Sequence, residues 1–222
     1  MTWSREWIAA NRRNWDERAA IHLENRTGFY QIDRFKAGED VLHPIEAEEI
    51  GEIAGKRLIH LQCHFGLDTL CLARRGAVVT GLDFSPTAIV AARRLASELQ
   101  IPAEFVESDV YAAPERLTGT FDMAFVTWGT ICWLPDISRW ARIVASLLGT
   151  SGVLYLADAD PSALVFEEIE GRIVPNYPWR VSPDKPLMFE EAHTYTGDGT
   201  ELVERRHYEW IHPLSDTVTR LC

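Results

Sequence analysis

Two acids and one glycine-bearing turn stand at the ends of short apolar runs. Leu58, Ile59 and Leu61 form the first run, and it breaks at Gln62-Cys63-His64-Phe65-Gly66. Val78, Val79 and Leu82 form the second, closed by Asp83, and the third, over Ala103–Glu107, is followed by Asp109. A carboxylate beyond a second strand can accept both hydroxyls of a ribose. A polar group beyond a third can take the exocyclic amine of adenine. Together they describe a site for an adenosine-bearing cofactor, at the carboxyl edge where parallel sheets bind ligands. Either acid alone could be a turn residue; two at matching places, with the loop, favour a site. His60, Cys63, His64 and Asp68 are metal-ligand types at suggestive spacing. One histidine falls on a strand and the other in a turn, so no metal is expected. Cys63 and Cys132 read as small buried groups rather than nucleophiles.

The elements that would position these groups alternate in type. Short apolar runs fit strands buried on both faces. The first is followed by a helix from about Leu67 to Arg75, stopped by Gly76. Ser85 and Pro86 suit the cap and first position of a second helix, with Ala88, Ile89, Ala92, Leu95, Ala96 and Leu99 on its buried side. A fourth strand spans Phe121–Thr127 and is followed by the loop Trp128–Pro135. Asp136 caps a helix ended by Gly149, and a fifth strand runs over Gly152–Ala157, with Asp158 and Asp160 just past it. Five alternations imply a doubly wound, mostly parallel α/β sheet with helices on both faces. In front lies an amphipathic segment capped by Ser4, with Trp3, Trp7, Ile8, Trp15 and Ala19 at helical spacing. It is either a helix packed by its tryptophans or a lid. Residues Glu24–Val41 read as loop, and Ile45–Ile53 as a helix. Beyond Pro161 the texture changes to proline-punctuated, irregular or β structure. A strand-like stretch covers Glu201–Trp210, a hairpin turn is expected at Gly197-Asp198-Gly199, and a last helix is capped by Ser215. The expected division is a helical cap over residues 1–44, an α/β core over 45–160 and a substrate-side extension over 161–222.

The 222 residues suffice for one good-sized domain, and 46% hydrophobic content is ordinary for a globular chain. A net charge of −11 argues against nucleic acid as the main partner. The four cysteines form no CxxC pair, and no apolar run is long enough to span a membrane. With a polar N-terminus, these features point to the cytoplasm.

The stretches LIHLQCHFGLDT, VVTGLDFSPTAI, FVESDVY and FDMAFVTWGTICWLPD resemble the class I S-adenosylmethionine-dependent methyltransferases, over roughly Ile45 to Asp160. The family's first motif, acid-x-Gly-x-Gly-x-Gly, falls here on His60, Gln62, His64 and Gly66. Only the last glycine is present, in the form taken by a branch with LQCHFGLDT. The resemblance implies S-adenosyl-L-methionine as cofactor, with Gln62, Cys63, His64 and Gly66 beside its methionine and ribose. It implies Asp83 at the ribose hydroxyls, with Phe84 and Ser85 alongside. Asp109 and Val110 would hold the adenine, and Thr127, Trp128 and Gly129 would lie near the methyl group. Trp15 and Tyr30 belong to the flanking segment that caps such sites, and Trp133 and Trp179 are expected on the acceptor side. The implied reaction is O- or N-methylation of a small organic molecule. His22, Tyr30 and His193 are candidate bases that nothing ranks. A nicotinamide-dependent oxidoreductase and a non-catalytic S-adenosylmethionine-binding protein remain alternatives. The family's sheet carries two more strands after the helix near Ser215, for which this chain has no residues. The chain is therefore a fragment, or the sheet edge is covered by the Pro161–Trp210 region or a partner copy.

Overall fold

A computed structural model describes residues 4–221. Trp3 and Cys222, both used in the sequence reading, lie outside the described residues. Five strands form one parallel sheet in the order β3-β2-β1-β4-β5: β1 Arg57–Leu61, β2 Val78–Asp83, β3 Glu104–Glu107, β4 Phe121–Thr127 and β5 Leu148–Ala157. Strand side chains alternate between the two faces. Leu58, Met123 and Phe125 join one core with α4 (Leu67–Arg74) and α5 (Pro86–Glu98). Ile59, Leu61, Ala124 and Val126 join a second core with α7 (Ile137–Leu147). This is the Rossmann-like, doubly wound architecture that the alternating runs imply.

Gly66 sets the turn after β1. Its φ is +74°, and a Cβ there would lie 2.4 Å from the Phe105 ring, so only glycine fits both the backbone and the space. The helix α5 begins as its cap residues require: Ser85 Oγ accepts the Ala88 N–H at 3.1 Å, with Pro86 at the first position.

The structure differs from expectation in three places. Residues Glu24–Val41 are not all loop, because Ile32–Lys36 forms a short helix, α2, that buries Ile32 and Phe35. The expected helix from Ile45 to Ile53 is the shorter α3, Pro44–Glu49. No turn separates α7 from β5; the strand starts at Leu148, directly after the helix, and its pairing with β4 shifts before resuming at Met123 with Val153. A one-turn helix, α6, spans Ala113–Arg116 ahead of β4, a stretch assigned no element from the sequence.

Beyond β5 the chain forms two antiparallel pairs outside the main sheet. β6 (Phe166–Ile169) and β7 (Arg172–Pro175) make a hairpin turning at Glu170-Gly171. β8 (Leu187–Glu190) pairs with β9 (Arg206–Glu209). Gly197-Asp198-Gly199 sits inside the long connection of that second pair rather than in a tight hairpin, since neither side of it continues as strand. The last helix, α8, spans Leu214–Leu221, so Ser215 lies in its first turn rather than at its cap, and it packs on α7.

The N-terminal helix α1, Arg5–Glu24, is capped by Ser4 as expected. Its buried face, however, is largely polar, comprising Asn11, Asn14, Arg18 and His22 with Ala10, Ala19 and Ile21. Asn11, Asn14 and Arg18 bind the C-terminal extension. Asn11 donates from Nδ2 to the Tyr208 carbonyl at 2.8 Å and accepts the Tyr208 N–H at 2.7 Å. Asn14 donates to the Glu204 carbonyl at 2.6 Å. Trp7 and Ile8 pack against a small cluster of Val181, Trp210 and Ile211. The helix and the extension thus form one roof over the carboxyl edge of the sheet. No helix is long and apolar enough to cross a membrane among the described residues.

Candidate active site

Under that roof is a cavity of about 390 Å³, walled by the strand ends below and by Trp15, Phe29, Tyr30, Trp133 and Tyr195 above. The loop after β1 makes its floor. Gln62 and His64 take positive φ angles of 58° and 52°, which turns the loop sharply enough to present backbone and side chains to the opening. The Gln62 amide donates to the Thr130 carbonyl at 2.9 Å, tying this loop to the one after β4.

Asp83, at the end of β2, is buried on the cavity wall. Its Oδ2 accepts the His64 N–H at 2.8 Å and its Oδ1 the Ser85 N–H at 2.9 Å. Burial pushes its pKa up to about 6, against the lowering effect of those N–H groups. One donor per oxygen leaves each with accepting capacity for a hydroxyl. Asp109, past β3, accepts the Tyr111 N–H at 2.8 Å and lines the same cavity, with burial again raising its pKa. The two acids therefore face one space from neighbouring strands.

The loop after β4 is shaped by two acids the sequence reading did not use. Asp158, just past β5, accepts the N–H groups of Gly129 at 2.6 Å, Thr130 at 3.1 Å and Ile131 at 3.1 Å. Glu46 of α3, fully buried, accepts the indole N–H of Trp128. Thr127, Trp128 and Gly129 all border the cavity as a result.

Residues 59–154 match the profile of a family described as "Methyltransferase domain". The match covers less than half of the chain. The fold recurs in solved structures. One is an S-adenosylmethionine-dependent methyltransferase from Mesorhizobium loti, with TM-score 0.57, 19% identity and coverage of 80% of this chain and 77% of the other. Another is the structure titled a DhpI-SAM-HEP complex, with TM-score 0.58, 19% identity and coverage of 99% and 89%. In sequence, the chain is 29% identical over 128 residues to a ubiquinone biosynthesis O-methyltransferase of Xanthomonas axonopodis pv. citri, and 27% identical to that of Xanthomonas oryzae pv. oryzae. The matched stretch is 56% of this chain and 53% of either relative, so the chain spans about half the length of the curated relatives it matches.

Gln62, Cys63, His64, Asp83, Phe84, Asp109, Val110, Thr127, Trp128, Gly129 and Trp133 all lie on the cavity wall, as do Trp15 and Tyr30 from the N-terminal flank. Five expected residues do not line it: Gly66, Ser85, Trp179, His193 and His22. Gly66 is buried beneath the loop against Phe105, and Ser85 is spent on capping α5 and on a 2.5 Å hydrogen bond to Asp16. Trp179 is 50% exposed away from the cavity, and His193 is exposed. Both belong to the irregular extension, where no periodicity fixes which way a side chain faces.

His22 reaches the cavity through its neighbours. Its Nδ1 is 2.9 Å from His64 Nε2 and 3.2 Å from the Tyr30 hydroxyl, which in turn bonds the Tyr195 hydroxyl. Burial first, then Arg18, lowers the His22 pKa to about 4. Burial, His22 and Arg18 hold His64 well below the ordinary value, and burial holds the Tyr30 hydroxyl well above its own. At neutral pH the group is two neutral imidazoles and two phenols. Burial and aromatic packing also account for Trp15, whose ring meets His64 at 5.3 Å and Trp133 at 5.2 Å, both edge-on.

His60 and His64 do not converge on a common point as ligands: His60 Nδ1 is 2.8 Å from the Thr69 hydroxyl while His64 bonds His22. Among the described residues no group of three or more His, Cys, Asp and Glu side chains is placed to hold a metal ion. Asp68, Ser108, Tyr111, His43, Phe29 and Tyr195 also line the cavity and were missed as site residues. Tyr111 and Ser108 flank Asp109 in sequence, a signal that was available; Tyr195 had none.

Proposed function

We propose that this protein is an S-adenosyl-L-methionine-dependent methyltransferase acting on a small organic acceptor at oxygen or nitrogen. The observation that carries the proposal is the pair Asp83 and Asp109, buried on one cavity at adjacent strand ends and each with accepting capacity left. The residues fit the group: Asp83 suits the ribose hydroxyls, Asp109 with Val110 the adenine, and the Gln62–His64 loop and Thr127–Gly129 the rest. The bound cofactor supplies an electrophilic methyl group on a sulfonium with a good leaving group. The protein's part is alignment and exclusion of water, and the roof of Trp15, Tyr30, Trp133 and Tyr195 provides both. An aromatic face toward a sulfonium adds cation–π attraction, and Trp128 and Trp133 stand where that is possible. Tyr30 keeps its proton and acts as a hydrogen-bond donor to the ligand, while neutral His64 can accept one. His22 positions both.

The three regions divide the work in this proposal: residues 45–160 bind the cofactor, while 1–44 and 161–222 build the acceptor side. An acceptor with no nucleic-acid backbone is supported by the absence of any Lys or Arg on the cavity wall and by the net charge of −11. Free thiols at Cys63, Cys71 and Cys132 support a reducing, cytoplasmic setting. The second edge of β5, unpaired in the sheet order, supports association of copies there, readable by light scattering. A thermal-shift panel tests the cofactor. S-adenosylhomocysteine and S-adenosylmethionine are expected to raise Tm and nicotinamide dinucleotides to leave it unchanged; the reverse pattern would overturn the assignment in favour of an oxidoreductase. Transfer of labelled methyl to an acceptor separates an enzyme from a protein that only binds.

A further inference from the structure

Three carboxylates lie on the cavity wall, and one of them has no partner. Asp83 accepts two backbone N–H groups and Asp109 one. Asp68, in the first turn of α4, lines the cavity half-buried and accepts no hydrogen bond among the described residues. Its setting adds negative charge. Burial and then Glu46 push its pKa up to about 7, with His43 acting the other way. Glu46 is fully buried, and its Oε2 has no hydrogen-bond partner among the described residues. No lysine or arginine lines the cavity to balance these groups. His60, at the position where the methyltransferase motif has its acid, offers no charge in their place. Burial lowers its pKa to about 3, its Nδ1 lies against Thr69, and its ring packs on Phe125.

An unpaired carboxylate facing a largely apolar cavity is costly unless a ligand completes it. Arg18 does not line the cavity, and Glu191 pairs with it at 2.5 Å, so it supplies no free cation to the wall. The wall thus offers an acid at Asp68 and neutral hydroxyls at Tyr30 and Tyr195, which suits a group carrying an ammonium beside a carboxylate. We infer that Asp68 receives the ammonium of the cofactor's amino-acid end, the carboxylate of that end pointing toward the Tyr30–Tyr195 hydroxyls. Asp68 is then a determinant of cofactor selectivity, admitting adenosine ligands with the amino group over those without it. This rests on the S-adenosylmethionine reading above.

The test is calorimetric binding of two ligands to two proteins. The ligands are S-adenosylhomocysteine and its deamino analogue, S-(5′-adenosyl)-4-thiobutanoate; the proteins are the unaltered chain and Asp68→Asn. The unaltered protein is expected to bind the deamino analogue about tenfold more weakly, a typical loss for one charge-assisted hydrogen bond. Asp68→Asn is expected to lose about tenfold for S-adenosylhomocysteine and nothing for the analogue. Equal loss for both ligands, or no loss for either, overturns the assignment of Asp68. If Asp68→Asn does not fold, equal affinity of the unaltered protein for the two ligands overturns it alone. If the unaltered protein binds neither ligand, the cofactor reading itself has failed, which is a different result.

Discussion

Helix α5 meets the sheet through Ala88, Ile89, Ala92 and Leu95, all buried and apolar. Helix α1 meets the C-terminal extension through Asn11, Asn14 and Arg18, equally buried and polar, alongside a smaller apolar contact of Trp7 and Ile8, and Arg18 also reaches Glu191 at 2.5 Å. The first contact is non-directional and roughly proportional to the area removed from water. The second is made of directional bonds that also satisfy the backbone of Tyr208 and Glu204, and of Val203 through Glu17. A sheet held by burial tolerates exchange of one apolar side chain for another of like volume. A roof held by side-chain-to-backbone bonds does not tolerate loss of either partner, because a buried N–H or C=O is left unpaired. The two halves of the cavity should therefore fail differently.

The largest effect is expected on the sheet side. Gly66→Ala forces a Cβ against Phe105 at a backbone angle that disfavours side chains, and should cost about 3 kcal/mol in denaturant unfolding. A cost near zero would mean that the loop and β3 are not packed as described. On the roof side, Asn11→Ala should cost about 2 kcal/mol. Hydrogen exchange should show that loss confined to residues 203–210 and α1, with the sheet amides still protected. Uniform loss of protection would make the roof and the sheet one cooperative unit and remove the distinction.

A smaller effect concerns pH. Burial raises Asp83 to about 6 and Asp68 to about 7 in the folded state, above an unfolded carboxyl. The folded state then binds protons more tightly than the unfolded one, so the contribution of these groups is fully present below the unfolded pKa, near 4. It is lost as pH rises through about 6 to 7. Asp83→Asn and Asp68→Asn should each flatten the part of the stability profile between about pH 4 and 7. The smallest effect is expected at the surface, where Glu39→Ala removes the partner of exposed Arg34 and should leave Tm unchanged within error.

This contrast also explains what could be read from the sequence. The five strands and the helices α4, α5 and α7 carry buried apolar stripes, and Phe121–Thr127 and the Ser85-Pro86 cap were legible to within a residue or so. The strand-end acids were legible for the same reason, since an edge is fixed once its strand is. The roof was not. The tryptophans of α1 suggested an aromatic contact face, and Trp7 and Trp15 do make one, but the hydrogen bonds to the extension come from Asn11, Asn14 and Arg18, polar residues that ordinarily read as solvent-facing. Tyr195 enters the site only because that contact brings residues 191–205 over the cavity, and Trp179, equally aromatic, stays outside. Asp68 is legible as part of GLDT but not as unpaired, a property that appears only when Glu46 and His60 are in place around it.

The central claim is that one cavity holds an adenosine cofactor by the acid at the end of β2. Isothermal titration with S-adenosylmethionine measures it directly in the unaltered protein and in Asp83→Ala. The expected result is saturable binding of one cofactor per chain, weakened at least about a hundredfold by the substitution. No binding at about millimolar cofactor, or binding that Asp83→Ala leaves unchanged, would contradict it.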